Sequence, residues 1–180
     1  RSVALLRSVG CSVGMFPGGV DGVRFQPVSS RARASLRARY DLPGDAFVVL
    51  HVGHINANRN VELLSRAQEL PGCQAVLAGS TSTPQNDALI DRMRERGVRV
   101  ITRFLAHVEE LYQLSDCYFF PVLSSTGCIE APLSILEAMA CDLPVVTTRY
   151  GGIPQQFPGG DGLLYGDDAV GLLHQVEVAK

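Results

Sequence analysis

Short apolar runs rich in Val, Ile, Leu and Phe recur along the chain, each followed by a Gly-rich or polar turn and then by a segment with apolar residues at helical spacing. Runs at 12–16 (SVGMF), 47–52 (FVVLHV), 74–79 (QAVLAG), 98–102 (VRVIT), 117–122 (CYFFPV) and 143–148 (LPVVTT) predict strands. They are nearly continuous rather than alternating, the pattern of strands covered on both faces of a parallel sheet. Between them, helical periodicity predicts helices near 30–40, 60–69, 84–96, 108–115, 132–140 and 168–178. Alternation of strand and helix implies right-handed βαβ crossovers. The expected fold is α/β: a doubly wound, mostly parallel, six-stranded Rossmann-like sheet with helices on both faces.

Local chemistry sharpens several boundaries. Thr83 is placed to cap a helix whose first position is Pro84, and Gly97 stands where that helix must turn toward the next strand. Leu89, Ile90 and Met93 form its inward stripe, with Arg92, Arg94 and Arg96 on the solvated side and near the favourable C-terminal end of the dipole. In the 132–140 helix the expected packing stripe is Leu133, Leu136, Met139 and Ala140. The chain opens on Arg, and its last periodic stretch stops at Lys180 without a capping signal, which predicts a piece of a larger protein.

Composition narrows the function classes. At 180 residues, 46% hydrophobic and 19% charged, the chain has the makings of one domain with a core, not of a disordered or coiled-coil segment. Sixteen Lys and Arg against eighteen Asp and Glu leave no basic excess for a nucleic-acid partner. No apolar run approaches the roughly 20 residues of a membrane span. Cys11, Cys73, Cys117, Cys128 and Cys141 are odd in number and lack any C-x-x-C pair, so a disulfide framework or zinc site is not expected and a cytoplasmic location is.

In open parallel sheets ligands bind beyond the carboxyl ends of the strands, where helix N-termini present free amides. Two turns there carry chemistry. In 53–60 (GHINANRN), Gly53 permits close backbone approach, His54, Asn56 and Asn58 offer donors, and Arg59 stands at the next helix. This set suits a phosphate or diphosphate; it equally suits a polar turn with Arg59 pairing a surface carboxylate. In 123–137 (LSSTGCIEAPLSILE), a hydroxyl-rich loop (Ser124, Ser125, Thr126) leads to Pro132 at a helix start. Glu130, Ser134 and Glu137 share one face if the helix reaches back to 130, and such carboxylates suit the donors of a sugar diol; glutamate near a helix N-terminus is also favoured by the dipole alone. His51 and His54 lack nearby Cys or acidic ligands, so no metal site is expected there.

The stretch LEAMACDLPVVTTRYGG at 136–152, with PGGVDGVRFQP, VVLHVGHINANRN and DCYFFPVLSSTGCIEAPLSILEAMA in the same order, resembles the C-terminal, nucleotide-sugar-binding domain of GT-B glycosyltransferases of family 4, the glycosyl transferases group 1 type. The resemblance runs from about Pro17 to Asp168. It implies a retaining transferase of the hexosyltransferase kind, which moves a sugar from a nucleoside diphosphate sugar (UDP, GDP or ADP type) to an acceptor held by a separate N-terminal domain, without an obligatory metal. By the same resemblance Glu137 holds the nucleotide ribose, Arg59 contacts the diphosphate, Gly53 precedes the second cationic position (here His54), and the backbone at Leu133 and Ser134 meets phosphate and sugar. Arg59 and Glu130 are then the catalytic candidates.

The chain also departs from that pattern. His54 stands where arginine is common, making one positive charge pH-dependent. Ile129 occupies the usual position of the first glutamate, Glu130 follows one residue later, and Pro132 replaces a glycine and removes an amide donor. A non-catalytic nucleotide- or sugar-binding module of the same fold is the alternative these departures suggest. The resemblance leaves open a peripheral place at the inner membrane face for the full-length protein, and the fragment alone is expected to be inactive.

Overall fold

The computed structural model describes residues 2–14, 18–80, 84–123, 127–160 and 162–180. Six strands form one parallel sheet: β1 (Phe47–Gly53), β2 (Cys73–Gly79), β3 (Arg99–Ile101), β4 (Cys117–Phe120), β5 (Val145–Thr147) and β6 (Leu163–Tyr165), in the order β3-β2-β1-β4-β5-β6. That order reverses between β1 and β4, the switch point of a doubly wound sheet. The helices are α1 (Ser2–Ser8), α2 (Ser30–Arg39), α3 (Leu63–Gln68), α4 (Asp87–Glu95), α5 (Glu109–Leu114), α6 (Leu133–Ala140), α7 (Ile153–Gln156) and α8 (Ala169–Ala179), with a 3-10 turn at Ala57–Arg59.

The continuous apolar strands are explained by burial on both faces. Val48, Leu50, Tyr118 and Phe120 pack on one side with Leu111 and Tyr112 of α5, Ile135 and Ala138 of α6, and Ile153 of α7. Val49, Leu77, Cys117 and Phe119 pack on the other with Leu64 of α3, Met93 of α4, and Leu172 and Val176 of α8. Each fully buried Leu, Val or Phe side chain contributes about 1.5–3 kcal/mol relative to exposure. Leu89, Ile90 and Met93 form the buried stripe of α4, and Gly97 takes φ +83° at the turn after it.

The structure corrects the sequence reading in several places. Residues 12–14 form no strand, and 15–16 lie outside the described residues. The sixth strand is β6 instead, three residues between glycines, too short to show a period. α4 starts at Asp87 because Asn86 accepts a hydrogen bond from the Leu89 amide (3.1 Å); Thr83 lies outside the described residues and Pro84 precedes the helix. α6 starts at Leu133 with Pro132 at its N-cap. A residue before proline is disfavoured in helical conformation, so Glu130 is not on the helix and does not share its face with Ser134 and Glu137. Ile135 and Ala138 are the buried residues of α6, whereas Leu133 is 48% exposed. The five cysteines are free; Cys73, Cys117 and Cys141 are buried, Cys128 is half-buried and Cys11 is exposed.

Candidate functional site

β1 runs alongside β2 for its full length, from Phe47↔Cys73 to Gly53↔Gly79, but pairs with β4 only at Val49↔Cys117 and Leu50↔Tyr118. Beyond those pairs the two strands are bridged by side chains. His51 Nδ1 meets the Phe119 carbonyl at 2.8 Å, the Tyr118 hydroxyl donates to the Val52 carbonyl (3.2 Å), and Asn60 Nδ2 donates to the Pro121 carbonyl (3.1 Å). Gly53 and the 3-10 turn follow β1 at this switch point, and the helix that starts at Leu133 follows β4.

On one side the 3-10 turn presents Arg59. Asn56 caps the turn by accepting from the Arg59 amide (3.1 Å), and Asn60, in the left-handed region (φ 52°), ends it. The Arg59 guanidinium carbon lies 6.0 Å from the centroid of the Phe120 ring, and the guanidinium reaches the Cys128 thiol. Burial raises that thiol's pKa, against the pull of Arg59. Gly53 is needed for close approach: a Cβ there would stand 3.2 Å from His51 Nε2 and 3.7 Å from Arg59 Nη1. His54 is half-buried just beyond.

On the other side α6 presents Ser134 and Glu137. Glu137 Oε2 accepts from the hydroxyl of fully buried Tyr112 (2.6 Å). Burial first, and then the charges and groups around it including Glu137, push the Tyr112 pKa far up, so the phenol stays a donor. Ser134 hydrogen-bonds the Tyr118 side chain, and Tyr118 interacts electrostatically with both Glu137 and Arg59. Among the described residues no side chain caps α6 at Pro132, and Leu133 is exposed at the opening turn.

Gly53 and Arg59, at and after the end of β1, and Ser134 and Glu137, on the helix after β4, therefore all follow neighbouring strands at the switch point. Glu130 stands apart, its side chain exposed on the loop ahead of α6. The backbone of that loop is clasped from β5's exit: the Tyr150 hydroxyl accepts from the Cys128 amide (2.9 Å) and donates to the Cys128 carbonyl, and the Gly152 amide donates to the Glu130 carbonyl (2.9 Å). Gly151 (φ 54°) fits only without a side chain, since a Cβ would lie 2.7 Å from the Glu130 carbonyl oxygen. The hydroxyl-rich loop residues Ser124, Ser125 and Thr126 lie outside the described residues. His51, Tyr112, Tyr118 and Asn60 were not among the residues singled out for binding. The available signals were polar residues inside apolar strands, a histidine in FVVLHV and a tyrosine in CYFF.

Next to Gly53, beyond the ends of β1 and β2, lies an open hollow of about 240 Å³ lined by Gly79, Arg103, Phe104 and Leu105 among others; the Phe104 ring is 76% exposed. Among the described residues no helix is long and apolar enough to cross a membrane.

The strand order, with its switch point between β1 and β4, defines a Rossmann-like, doubly wound α/β domain of the kind found in GT-B glycosyltransferases. Within that class the chain belongs to the glycosyl transferases group 1 family, whose model matches residues 32–172. It is 31% identical over 172 residues to a D-inositol 3-phosphate glycosyltransferase of Corynebacterium jeikeium, covering 86% of this chain and 40% of that relative. Among solved structures it resembles a sucrose-phosphate synthase from Thermosynechococcus elongatus (TM-score 0.73, 23% identity, 98% of this chain and 46% of the other). It also resembles HepE of Anabaena, solved in complex with UDP-glucose (TM-score 0.72, 18% identity, 89% and 45%). The chain thus spans less than half the length of each of these proteins.

Proposed function

We propose that the chain is the donor-binding, C-terminal domain of a retaining GT-B glycosyltransferase of family 4, working with an N-terminal domain that holds the acceptor. The donor is a nucleoside diphosphate sugar and no metal is required. The observation that carries this reading is the placing of Arg59 and Glu137 after neighbouring strands at the switch point: Arg59 on the turn after β1, its guanidinium carbon 6.0 Å from the Phe120 ring of β4, and Glu137 on the helix after β4, held by Tyr112. A nucleoside diphosphate has the matching parts, an anionic diphosphate for Arg59 and a ribose diol for Glu137. Tyr112 occupies Oε2 of that carboxylate, which leaves Oε1 for the ribose. The uncapped start of α6 at Leu133 and Ser134 lies toward the phosphates, where free amides and the helix dipole favour negative charge. His54 adds a second donor beside Arg59, and the hollow with the exposed Phe104 ring offers a flat base a face to stack on.

In the transfer, the bond between the anomeric carbon and the diphosphate oxygen breaks and its electron pair leaves with the diphosphate. The acceptor oxygen bonds to the same carbon on the same face, and the acceptor proton is released. Charge grows on the leaving diphosphate, so a preorganised guanidinium and helix amides stabilise the transition state more than the ground state. Glu130 faces the sugar only if its exposed loop folds in when the two domains close.

Titration calorimetry with UDP, GDP and ADP tests the reading. One of the three is expected to bind in preference to the others, and Glu137→Ala is expected to weaken it more than Glu130→Ala. Absence of binding at millimolar concentration contradicts the donor-site assignment, and the reverse ranking of the two variants contradicts the residue assignment.

A further inference from the structure

Between α1 and α2 the chain makes an exposed turn, residues 21–26, in which Phe25 alone is buried. The turn is built from within: Asp21 Oδ1 accepts from the Val23 amide (3.0 Å) and the Arg24 amide (3.2 Å), and the Asp21 carbonyl accepts from the Phe25 amide (2.8 Å). It is also fastened to α5 at two places. Ahead of the helix and at its first residue, Arg24 Nη2 donates to the Ala106 carbonyl (2.8 Å) and Nε to Glu109 Oε2 (2.6 Å). Further along, Gln113 Nε2 donates to the carbonyls of Arg24 (3.4 Å) and Gln26 (3.3 Å). Between those clasps the Phe25 ring meets Tyr112 edge-on, with centroids 5.7 Å apart and planes at 76°. In this T-shaped geometry aromatic pairs attract beyond what their buried area gives.

Tyr112 is the donor that fixes Glu137, at 2.6 Å. Hydrogen bonds weaken steeply as their angle closes, so the aim of the carboxylate depends on where the phenol sits. α5 cannot set that place by itself. It has six residues, fewer than two turns, and no side-chain cap at Val108, so its position is decided by what it packs on.

Among the described residues two other rings pack on Tyr112. Tyr118 (5.6 Å, 38°) belongs to β4, inside the sheet and paired to β1 and β5; Phe25 belongs to a turn outside the sheet. The sheet therefore fixes one support, and the turn supplies the other. We propose that Phe25 is a positioning residue for the ribose: it holds the Tyr112 phenol on Glu137, and the clasps of Arg24 and Gln113 hold Phe25 in place. The inference rests on the donor-site reading, and it gives a turn far from Glu137 in sequence a part in nucleotide recognition.

The test is titration calorimetry with whichever of UDP, GDP and ADP binds, compared with its 2′-deoxy form, with thermal unfolding followed in parallel. In Phe25→Leu, which keeps an apolar side chain and removes the ring edge, the preference for ribose over 2′-deoxyribose should fall by about twofold or more. Tyr112→Phe should abolish that preference, and adding Phe25→Leu to it should change the preference no further, since the two act in series. Should the leucine variant misfold, Phe25→Met, flexible enough to fill the same space, carries the same expectation. A merely structural Phe25 would lower the unfolding temperature and leave the preference as in the native chain. That result, or a loss that Tyr112→Phe does not mask, overturns the inference and leaves the donor site standing. If Glu137→Ala keeps the native preference, or none of the three nucleotides binds, the ribose assignment falls and the inference with it.

Discussion

The two ends of the β1–β4 pair are built on opposite principles. At the N-terminal end Asp116 joins the strands: its amide donates to the Val48 carbonyl (2.9 Å) and its Oδ2 accepts from the Val48 amide (2.7 Å) and Arg37 Nη2 (2.5 Å), while Oδ1 accepts from Arg33 Nη2 (2.6 Å). Arg37, 7% exposed, spends its remaining donors on the carbonyls of Leu114, Gly44 and Ala46. Every charge there is matched inside the protein, which makes the end rigid. At the C-terminal end the strands separate, side chains replace the ladder, and His51 Nε2 and Arg59 Nε remain unmatched. Unmatched buried groups each cost about 1–3 kcal/mol. The difference teaches where stability is concentrated and where it has been given up for a ligand.

Substitutions at each end sharpen that contrast. The largest effect is expected from Asp116→Ala, which strands Arg37 and the Val48 amide; chemical denaturation should show a loss of about 3–5 kcal/mol. Next comes acidification. His51 titrates near 4 in the fold against 6.5 ordinarily, so stability is whole above about pH 6.5 and is lost as pH falls toward 4. The loss amounts to roughly 3 kcal/mol, and His51→Phe should flatten that part of the stability curve. Glu137→Ala should weaken nucleotide binding by about 10- to 100-fold through the lost charge-assisted hydrogen bonds.

Tyr112→Phe should act more mildly, by a few-fold. Its signature is lost preference for ribose over 2′-deoxyribose nucleotides, because the freed Glu137 carboxylate no longer holds one orientation; equal weakening for both sugars would make Tyr112 a packing residue only. Glu130→Ala, on the exposed loop, should change the binding of a nucleoside diphosphate least. A result in which Asp116 governs nucleotide affinity at unchanged stability would erase the distinction between the two ends.

How much of this was legible in the sequence follows from what each feature depends on. β1, β2 and β4 were plain because burial on both faces demands continuous apolar runs, and α4 because Leu89, Ile90 and Met93 keep its period. β6 was hidden: three residues held by pairing to β5 have no period of their own. The face of α6 was misassigned because Leu133 is apolar yet 48% exposed at the opening turn, where the sheet no longer covers it. Arg59 and Glu137 could be named from turn chemistry and resemblance, but not the aromatic residues they rest on, Phe120 and Tyr112, which are decided by the packing of β4 and α5. Nor could the orphaned nitrogen of His51 be foreseen, since it depends on how far β1 and β4 diverge.

A crystal structure of the chain soaked with its preferred nucleoside diphosphate tests the central claim most directly. The account predicts the diphosphate within hydrogen-bond distance of the Arg59 guanidinium and the ribose hydroxyls on the Glu137 carboxylate, in one molecule at the β1–β4 switch point. A nucleotide bound elsewhere, or touching only one of the two residues, would contradict it.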